Sequence, residues 1–249
     1  MSAQRRHRFV TSFAASKALS RPSVNSMTET LHRPDGVTVV IPCRDEAVAL
    51  PAVLAAIPAG FHALVVDNGS TDATADVARL RGAAVVSETR PGYGAAVQAG
   101  IAAARTELVA VLDGDGSMDP GELAPLVELV RAGADLAVGR RRPVRGGVWP
   151  WHARLGNLVI ARRLRRRYGL PVHDIGAMRV ARRSALLSLG PLHNRSGYPL
   201  ELLIGAAGAG WSVVERDIAY RPRAGGVSKV SGSWLGTLHA TRDFLGVLR

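Results

Sequence analysis

Residues 108–115 read Leu-Val-Ala-Val-Leu-Asp-Gly-Asp, an apolar run that ends in two carboxylates separated by one glycine. A short continuous apolar run bounded by a polar turn is typical of a strand that is buried on both faces of a sheet. Carboxylate oxygens at such a strand end suit a hard divalent cation, Mg²⁺ or Mn²⁺. The motif is weak by itself, because Asp and Gly are also the ordinary residues of turns.

The chain before this turn alternates between strand and helix patterns. Strands are predicted at 37–41, 63–66, 84–87 and 108–112, and helices at 46–57, 71–81 and 94–105. Alternation with short turns implies parallel strand pairing and helices on both faces. We therefore predict an α/β fold with a Rossmann-like, mainly parallel sheet. Ligands bind beyond the carboxyl ends of such strands, which directs attention to the turns at 42–46, 67–72, 90–94 and 113–115.

The second half of the chain continues with helices predicted at 122–132, 151–167, 184–189 and 199–207, and strands at 136–139 and 211–220. A loop at 225–232 and a final helix from Ser233 follow. Asp119 is expected to cap the helix that begins at Pro120. The segment 151–167 has the spacing of an amphipathic helix, whose predicted apolar side carries Leu155, Leu158, Val159 and Leu164.

Length and composition predict one domain with a basic extension. The chain has 249 residues and 47% hydrophobic content, enough for a full core. Residues 1–35 lack apolar periodicity and are expected to be a disordered basic extension before a domain at 36–249. The single cysteine, Cys43, excludes an internal disulfide and favours a reducing, cytoplasmic compartment. No segment predicts a membrane-spanning helix, and a peripheral position on the cytoplasmic face of the membrane stays open.

The formal net charge of +12 calls for an anionic partner: nucleic acid, an anionic membrane surface or a phosphorylated substrate. Residues 140–183 hold thirteen arginines and one acid, Asp174. Nucleic-acid binding is disfavoured, because no aromatic residue stands among the arginines from Arg154 to Arg167. An anionic membrane surface and a phosphorylated substrate are the two candidate partners that remain.

The remaining strand-end turns carry residues suited to a nucleotide. Glu46 and Asp67 can accept hydrogen bonds from a nucleobase or a ribose. The turn Arg90-Pro-Gly-Tyr-Gly-Ala95 places Arg90 and Gly94 at a predicted helix start, where backbone N–H groups can meet an anion. A dinucleotide-binding Gly-x-Gly-x-x-Gly after the first strand and a P-loop lysine motif are both absent from the sequence, which disfavours dinucleotide redox chemistry and P-loop hydrolysis.

Seven motifs taken together resemble family 2 glycosyltransferases, and within them the branch that makes dolichyl- or polyprenyl-phosphate sugars (dolichol-phosphate mannose synthase-like). They span 37–232 and comprise Val40-Ile-Pro-Cys-Arg-Asp-Glu46, Val66-Asp-Asn-Gly-Ser-Thr-Asp72, Gly92-Tyr-Gly-Ala-Ala96, Leu112-Asp-Gly-Asp115, Gly139-Arg-Arg141, Asp174-Ile-Gly-Ala-Met-Arg179 and Ser228-Lys-Val-Ser-Gly232. The resemblance implies a GT-A fold. It also implies an inverting transfer of a hexose, glucose or mannose, from a nucleotide-sugar donor to a polyprenyl or dolichyl phosphate.

The resemblance also implies roles for individual residues. Pro42, Glu46 and Asp67 fall at nucleoside contacts, and Asp113 and Asp115 at the metal and diphosphate motif, with Mg²⁺ or Mn²⁺ as cofactor. Arg141 falls where the lipid-phosphate branch binds the acceptor phosphate. The other matches are two basic residues near the phosphates and two acids on the acceptor side: Arg179, Lys229, Asp174 and Glu201.

Two departures from the family pattern lie near the base, where this sequence has Arg44-Asp45 and Asn68. An anionic acceptor needs no general base, so Arg141, Arg179 and Lys229 would bind and orient it. A hydroxyl acceptor needs a base, for which Asp174 is the candidate. The alternative is therefore a soluble family 2 glycosyltransferase that acts on a hydroxyl acceptor.

Overall fold

A computed structural model describes residues 36–176, 178–224 and 247, and its strands form a single seven-stranded sheet. The strands are β1 (Val37–Cys43), β2 (Phe61–Asp67), β3 (Ala84–Ser87), β4 (Leu108–Val111), β5 (Leu136–Pro143), β6 (Arg179–Arg182) and β7 (Val213–Tyr220). Their order across the sheet is β3-β2-β1-β4-β6-β5-β7. The predicted extension at 1–35, the loop at 225–232 and the helix from Ser233 lie outside the described residues, apart from Val247.

Six of the seven strands run in the same direction. β1, β2, β3 and β4 pair in parallel, β5 pairs in parallel with β7, and β6 is antiparallel to both β4 and β5. The carboxyl ends of β1, β2, β4, β5 and β7 therefore meet at one edge of the sheet. The mainly parallel α/β fold is confirmed.

The sequence analysis missed β6. This strand reads Arg-Val-Ala-Arg, so only two apolar residues separate two charges and no strand pattern is visible. Its pairing comes from tertiary context, because it fills the space between β4 and β5 with Val111 opposite Arg179. The strand predicted at 136–139 is also longer than expected, since β5 continues through three arginines to Pro143.

The helices follow the predicted order with small changes at their ends. They are α1 (Leu50–Ala55), α2 (Thr74–Leu80), α3 (Tyr93–Ala103), α4 (Leu123–Arg131), α5 (Trp151–Tyr168), α6 (Arg183–Ser188) and α7 (Tyr198–Gly208). α1 begins four residues later than predicted, because the backbone carbonyl of Glu46 first closes a turn by accepting hydrogen bonds from the amides of Ala49 and Leu50. The predicted cap is confirmed, since Asp119 Oδ1 accepts from the Gly121 amide at 2.9 Å at the start of a 3₁₀ turn.

Two clusters of buried apolar side chains cover the two faces of the sheet. Val40 faces α3, whereas its neighbours Val39 and Ile41 point to the other face, toward α1 and α4. This alternation follows from the pleat of a strand, which sends successive side chains to opposite faces. Helices on both faces are therefore confirmed, and the site residues are attached to a well-packed sheet.

The helix predicted at 151–167 is confirmed as α5, but most of its predicted apolar side lies outside the core. Leu164 is buried, but Leu155, Leu158 and Val159 are 52%, 53% and 59% exposed. The helix is anchored instead through Ala161 and Leu164 in its C-terminal half. Among the described residues, no helix has the length and hydropathy required to cross a bilayer.

Candidate functional site

The candidate site lies at the edge of the sheet where the parallel strands end. Asp113 and Asp115 follow β4, Glu46 follows β1, and Asp67 closes β2. Arg141 lies in the last half of β5. Because β7 runs in the same direction, residues 221–224 arrive at the same edge, and the Ala224 amide donates to the Asp115 carbonyl at 3.0 Å.

The turn after β4 holds two acidic side chains deep in this edge. Asp115 is 2% exposed, and its Oδ1 accepts from the Ser117 amide at 2.8 Å. Burial, followed by the charge of Asp115, raises the pKa of Asp113 to about 6. Gly114 is required here, because a Cβ would lie 2.6 Å from Sγ of the buried Cys43.

These two carboxylates fit a divalent cation, which would relieve the repulsion between them. Within the described residues, no group of three or more His, Cys, Asp or Glu side chains is arranged to hold a metal ion. The remaining ligands would have to come from water and substrate. That is the usual situation for Mg²⁺, which is bound by one or two carboxylates together with substrate phosphates.

Three arginines surround Asp113. Their charges lower its pKa, in the order Arg223, Arg141 and Arg179, against the larger effects of burial and of Asp115. Arg179 is almost fully buried in β6, donates to the Gly176 carbonyl and lies over the Tyr198 ring. The edge of the sheet thus combines two acidic side chains with a strongly positive surrounding, which suits a phosphorylated ligand.

Arg141 is held by Asp174 in a bidentate pair. Its Nε and one terminal nitrogen donate to the two carboxylate oxygens at 2.8 and 2.7 Å, and its amide donates to Oδ2 at 2.8 Å. The guanidinium also stacks on Trp149, 4.2 Å from the ring centroid. Both oxygens of Asp174 are therefore engaged, so this geometry supports a role in positioning Arg141 and not the predicted role as a base.

The residues predicted to contact the nucleoside lie at the ends of β1 and β2 or directly after them. Pro42 pairs with Val66 in the register of the two strands, and Asp67 Oδ1 accepts from the Ser70 amide at 3.1 Å. The backbone amide of Glu46 donates to Thr74 Oγ1 at 2.9 Å, and Oε1 of the Glu46 carboxylate lies 3.7 Å from the guanidinium of Arg223. These residues lie beside the acidic turn, as predicted.

Asn68, one of the departures from the family pattern, clamps the turn after β3. Its Nδ2 donates to the Glu88 and Arg90 carbonyls at 2.8 Å each, and its Oδ1 accepts from the Gly92 amide at 2.8 Å. An aspartate has no donor for the two carbonyls. The asparagine at this position therefore has a structural explanation.

Three further predicted residues have protein partners of their own. Arg90 forms a bidentate pair with Glu88 at 3.1 and 2.8 Å, and its hydrogen bonds lower the pKa of Glu88 to about 2. Gly94 packs against the loop 192–195, where a Cβ would lie 2.0 Å from the His193 carbonyl oxygen. The carboxylate of Glu201 accepts a hydrogen bond from the amide of His193, which belongs to the same loop. The Ala95 amide, expected to meet an anion, donates to the Asn194 carbonyl at 2.8 Å.

Sequence reasoning missed three residues that the structure brings to the site. Arg223 contacts Asp115, Trp149 covers Arg141, and the buried Tyr93 hydroxyl has no hydrogen-bond partner within the described chain. Arg223 could have been predicted, because it follows the strand predicted at 211–220 and site residues were expected just beyond the ends of strands. Lys229 lies outside the described residues.

Comparisons with known proteins identify the family of the chain. The family model described as glycosyl transferase family 2 matches residues 38–190. An uncharacterized glycosyltransferase of Mycobacterium tuberculosis (strain ATCC 25618 / H37Rv) is 63% identical over 214 residues, covering 86% of this chain and 98% of its own. The polyprenol monophosphomannose synthase of Mycolicibacterium smegmatis is 36% identical over 215 residues, covering 78% and 81%. The dolichyl-phosphate hexose transferase of Haloferax volcanii is 34% identical over 195 residues, covering 77% and 85%.

Solved structures show the same fold. Glucosyl-3-phosphoglycerate synthase from Mycobacterium tuberculosis, in complex with Mn²⁺, UDP and glucosyl-3-phosphoglycerate, superposes with a TM-score of 0.67 at 23% identity. The superposition covers 93% of this chain and 85% of that one. The resemblance inferred from the motifs is confirmed: the chain belongs to glycosyl transferase family 2 and is a glycosyltransferase with a GT-A-like fold.

Proposed function

We propose that this enzyme is an inverting, metal-dependent glycosyltransferase that moves a hexose, glucose or mannose, from a nucleotide sugar to a polyprenyl phosphate. Relatives at 34% and 36% identity carry the names of a dolichyl-phosphate hexose transferase and a polyprenol monophosphomannose synthase. The Arg141–Asp174 pair is the main support for a phosphate acceptor. Asp174 holds the guanidinium of Arg141 in a fixed position, and both oxygens of Asp174 are occupied by this contact instead of being available as a base.

On the donor side, Asp113 and Asp115 would hold Mg²⁺ or Mn²⁺, and Glu46 and Asp67 would contact the nucleoside. When bound, the cation supplies a Lewis acid that neutralises the departing nucleoside diphosphate. The protein's own contribution is to fix the two carboxylates on the rigid end of β4. The buried amide contact of Asp115 with Ser117 serves this purpose.

On the acceptor side, Arg141 would bind the phosphate and Arg179 would add positive charge from within the sheet. A phosphate is anionic at neutral pH and attacks the anomeric carbon without losing a proton to the protein. Asp174 engages Nε and one Nη2 hydrogen of Arg141, so the phosphate oxygens would be bound by the other side of the planar guanidinium, through Nη1 and the second Nη2 hydrogen. Trp149 keeps the guanidinium in place by stacking.

The exposed face of α5 supports a membrane surface as partner. Its N-terminal half exposes four apolar side chains and its C-terminal half exposes four arginines: Trp151, Leu155, Leu158 and Val159, then Arg162, Arg163, Arg166 and Arg167. Apolar side chains that insert at the bilayer interface and cations that meet anionic headgroups both strengthen binding to such a surface. Each cation near an anionic surface adds about 1 kcal/mol.

A transfer assay with Mn²⁺ tests the proposal. UDP-glucose and GDP-mannose are offered with polyprenyl phosphate in mixed micelles, and the lipid product is extracted. We expect a glycosylated lipid phosphate from one donor, and a loss of more than about 100-fold in Asp115→Asn. Lipid product formed equally well by Asp115→Asn would refute the metal assignment.

The second candidate is transfer to a soluble hydroxyl acceptor. It is favoured by the superposition on glucosyl-3-phosphoglycerate synthase, which has been solved in complex with phosphoglyceric acid. The same assay separates the two candidates when phosphoglyceric acid replaces the lipid. Transfer to phosphoglyceric acid without transfer to polyprenyl phosphate would establish the second candidate.

A further inference from the structure

Arg223 is paired with the acidic turn itself. Its guanidinium lies 3.0 Å from Asp115 Oδ2 and 3.7 Å from Glu46 Oε1, so it bridges the cation side and the nucleoside side of the site. Asp115 and Glu46 are largely buried, with side chains 3% and 13% exposed, and Arg223 is 30% exposed. The charge of Asp115 is thus balanced by the protein's own cation.

The chain around Arg223 is fastened along the same turn. The Arg221 amide donates to the Ser117 carbonyl at 2.8 Å, and the Ala224 amide donates to the Asp115 carbonyl at 3.0 Å. Met118 and Tyr220 form an isolated antiparallel bridge. Contacts of the backbone therefore place Arg223, and they do not depend on its side chain.

We propose that Arg223 is a built-in counterion of the cation site, which pairs with Asp115 in the free enzyme and leaves it when the cation and the donor diphosphate bind together. The inference rests on the proposed function of Asp113 and Asp115. A divalent cation on Asp115 would lie within a few ångströms of the guanidinium, and two positive charges at that distance repel each other.

This arrangement makes the cation and the diphosphate depend on each other. Without a nucleotide, a free cation must displace Arg223 and binds weakly. A diphosphate offers the guanidinium new oxygen acceptors, which release the carboxylate for the cation. The coupling is reciprocal, so the cation must also raise nucleotide affinity. Arg223 would therefore favour joint loading of the metal and the donor.

The decisive experiment measures Mn²⁺ binding to the full chain without nucleotide, from the loss of the free Mn²⁺ signal in electron paramagnetic resonance. Removing the competing charge in Arg223→Ala should tighten Mn²⁺ binding by about three- to tenfold. Arg223→Lys keeps the charge and should stay near the wild type. In saturating Mn²⁺, calorimetry should show that Arg223→Ala binds UDP or GDP about tenfold more weakly.

Arg221→Ala is the matched control, because Arg221 lies on the same segment but pairs with Asp119 at 3.1 Å. It should leave Mn²⁺ affinity unchanged. Unchanged or weaker Mn²⁺ binding in both Arg223→Ala and Arg223→Gln would overturn the counterion role. Asp115→Asn distinguishes a failure of the counterion role from a failure of the metal assignment. If it loses Mn²⁺ binding while Arg223→Ala matches the wild type, only the counterion role falls; if Asp115→Asn binds Mn²⁺ normally, the metal assignment falls as well.

Discussion

Arg141 and Asp174 form the most complete ion pair of the site, with both carboxylate oxygens engaged by the guanidinium at 2.8 and 2.7 Å. If Asp174 positions Arg141, Asp174→Asn should lower kcat/KM for the lipid phosphate about 10- to 100-fold, because an amide cannot hold the guanidinium through two acceptors. The pH–rate profile should keep its shape. Loss of the acidic limb of that profile in Asp174→Asn would show instead that Asp174 is a base.

The pKa of Asp113, about 6 in the folded protein, predicts a pH-dependent stability effect. The folded group binds its proton more tightly than the unfolded group, so its contribution to stability is present below pH 4 and is lost as the pH rises through 6. In the absence of divalent cations, Asp113→Asn should be more stable than the wild type at pH 7 by about 1–3 kcal/mol. Urea denaturation should show that the difference disappears near pH 4. A difference independent of pH would contradict the assignment.

Asn68 should not tolerate replacement by aspartate. Asn68→Asp would leave the Glu88 and Arg90 carbonyls without their donor, so we expect the free energy of unfolding at pH 7 to fall by about 2–3 kcal/mol. Asn194→Asp is the control, because Asn194 is exposed and its oxygen accepts from Gln98. Equal effects of the two substitutions would argue against the clamp.

The two glycines Gly94 and Gly156 should respond in opposite ways to alanine. In Gly94→Ala the new methyl group would collide with the His193 carbonyl, so we expect a loss of more than about 3 kcal/mol in the free energy of unfolding. Gly156 lies within α5 with open space around it, and Gly156→Ala should add about 0.5–1 kcal/mol. Thermal or urea unfolding checks both; a tolerated Gly94→Ala would refute the close packing of α3 on the loop 192–195.

The exposed side of α5 should govern binding to anionic liposomes. Leu158→Asp places a charge in the face expected to enter the interface, and we expect the partition coefficient to fall at least about tenfold. Leu187→Asp is the matched control, since Leu187 is also exposed but belongs to α6. Sedimentation with vesicles measures both. Similar partition of Leu158→Asp and the wild type would exclude this face.

The sequence was sufficient to predict the parallel strands β1 to β4, because strands such as 37–41 and 108–112 are continuous apolar runs with short turns between the elements. It did not reveal β6, whose arginines hide the pattern, and at α5 the spacing identified the helix and its apolar side but not that most of this side is exposed. Periodicity reports amphipathicity, whereas burial depends on a partner that only the three-dimensional arrangement supplies.

For the site, strand ends and motif order predicted the neighbourhood of Asp113, Asp115, Arg141 and Arg179. The partners of these residues were not predictable, because ion pairs such as Arg141–Asp174 join positions 33 residues apart across β5 and the chain before β6. Arg90 illustrates the converse. Its position at a strand end suggested an anion ligand, yet a carboxylate two residues earlier pairs with its guanidinium.

The identity of the acceptor can be tested by one comparison: transfer of labelled hexose to polyprenyl phosphate and to the unphosphorylated polyprenol of the same chain length, under identical micelle conditions with Mn²⁺. We expect a labelled product from polyprenyl phosphate and none from the alcohol, because the proposed mechanism has Arg141 bind the phosphate and gives Asp174 no role as a base. Equal transfer to the alcohol, or transfer to the alcohol alone, would contradict it.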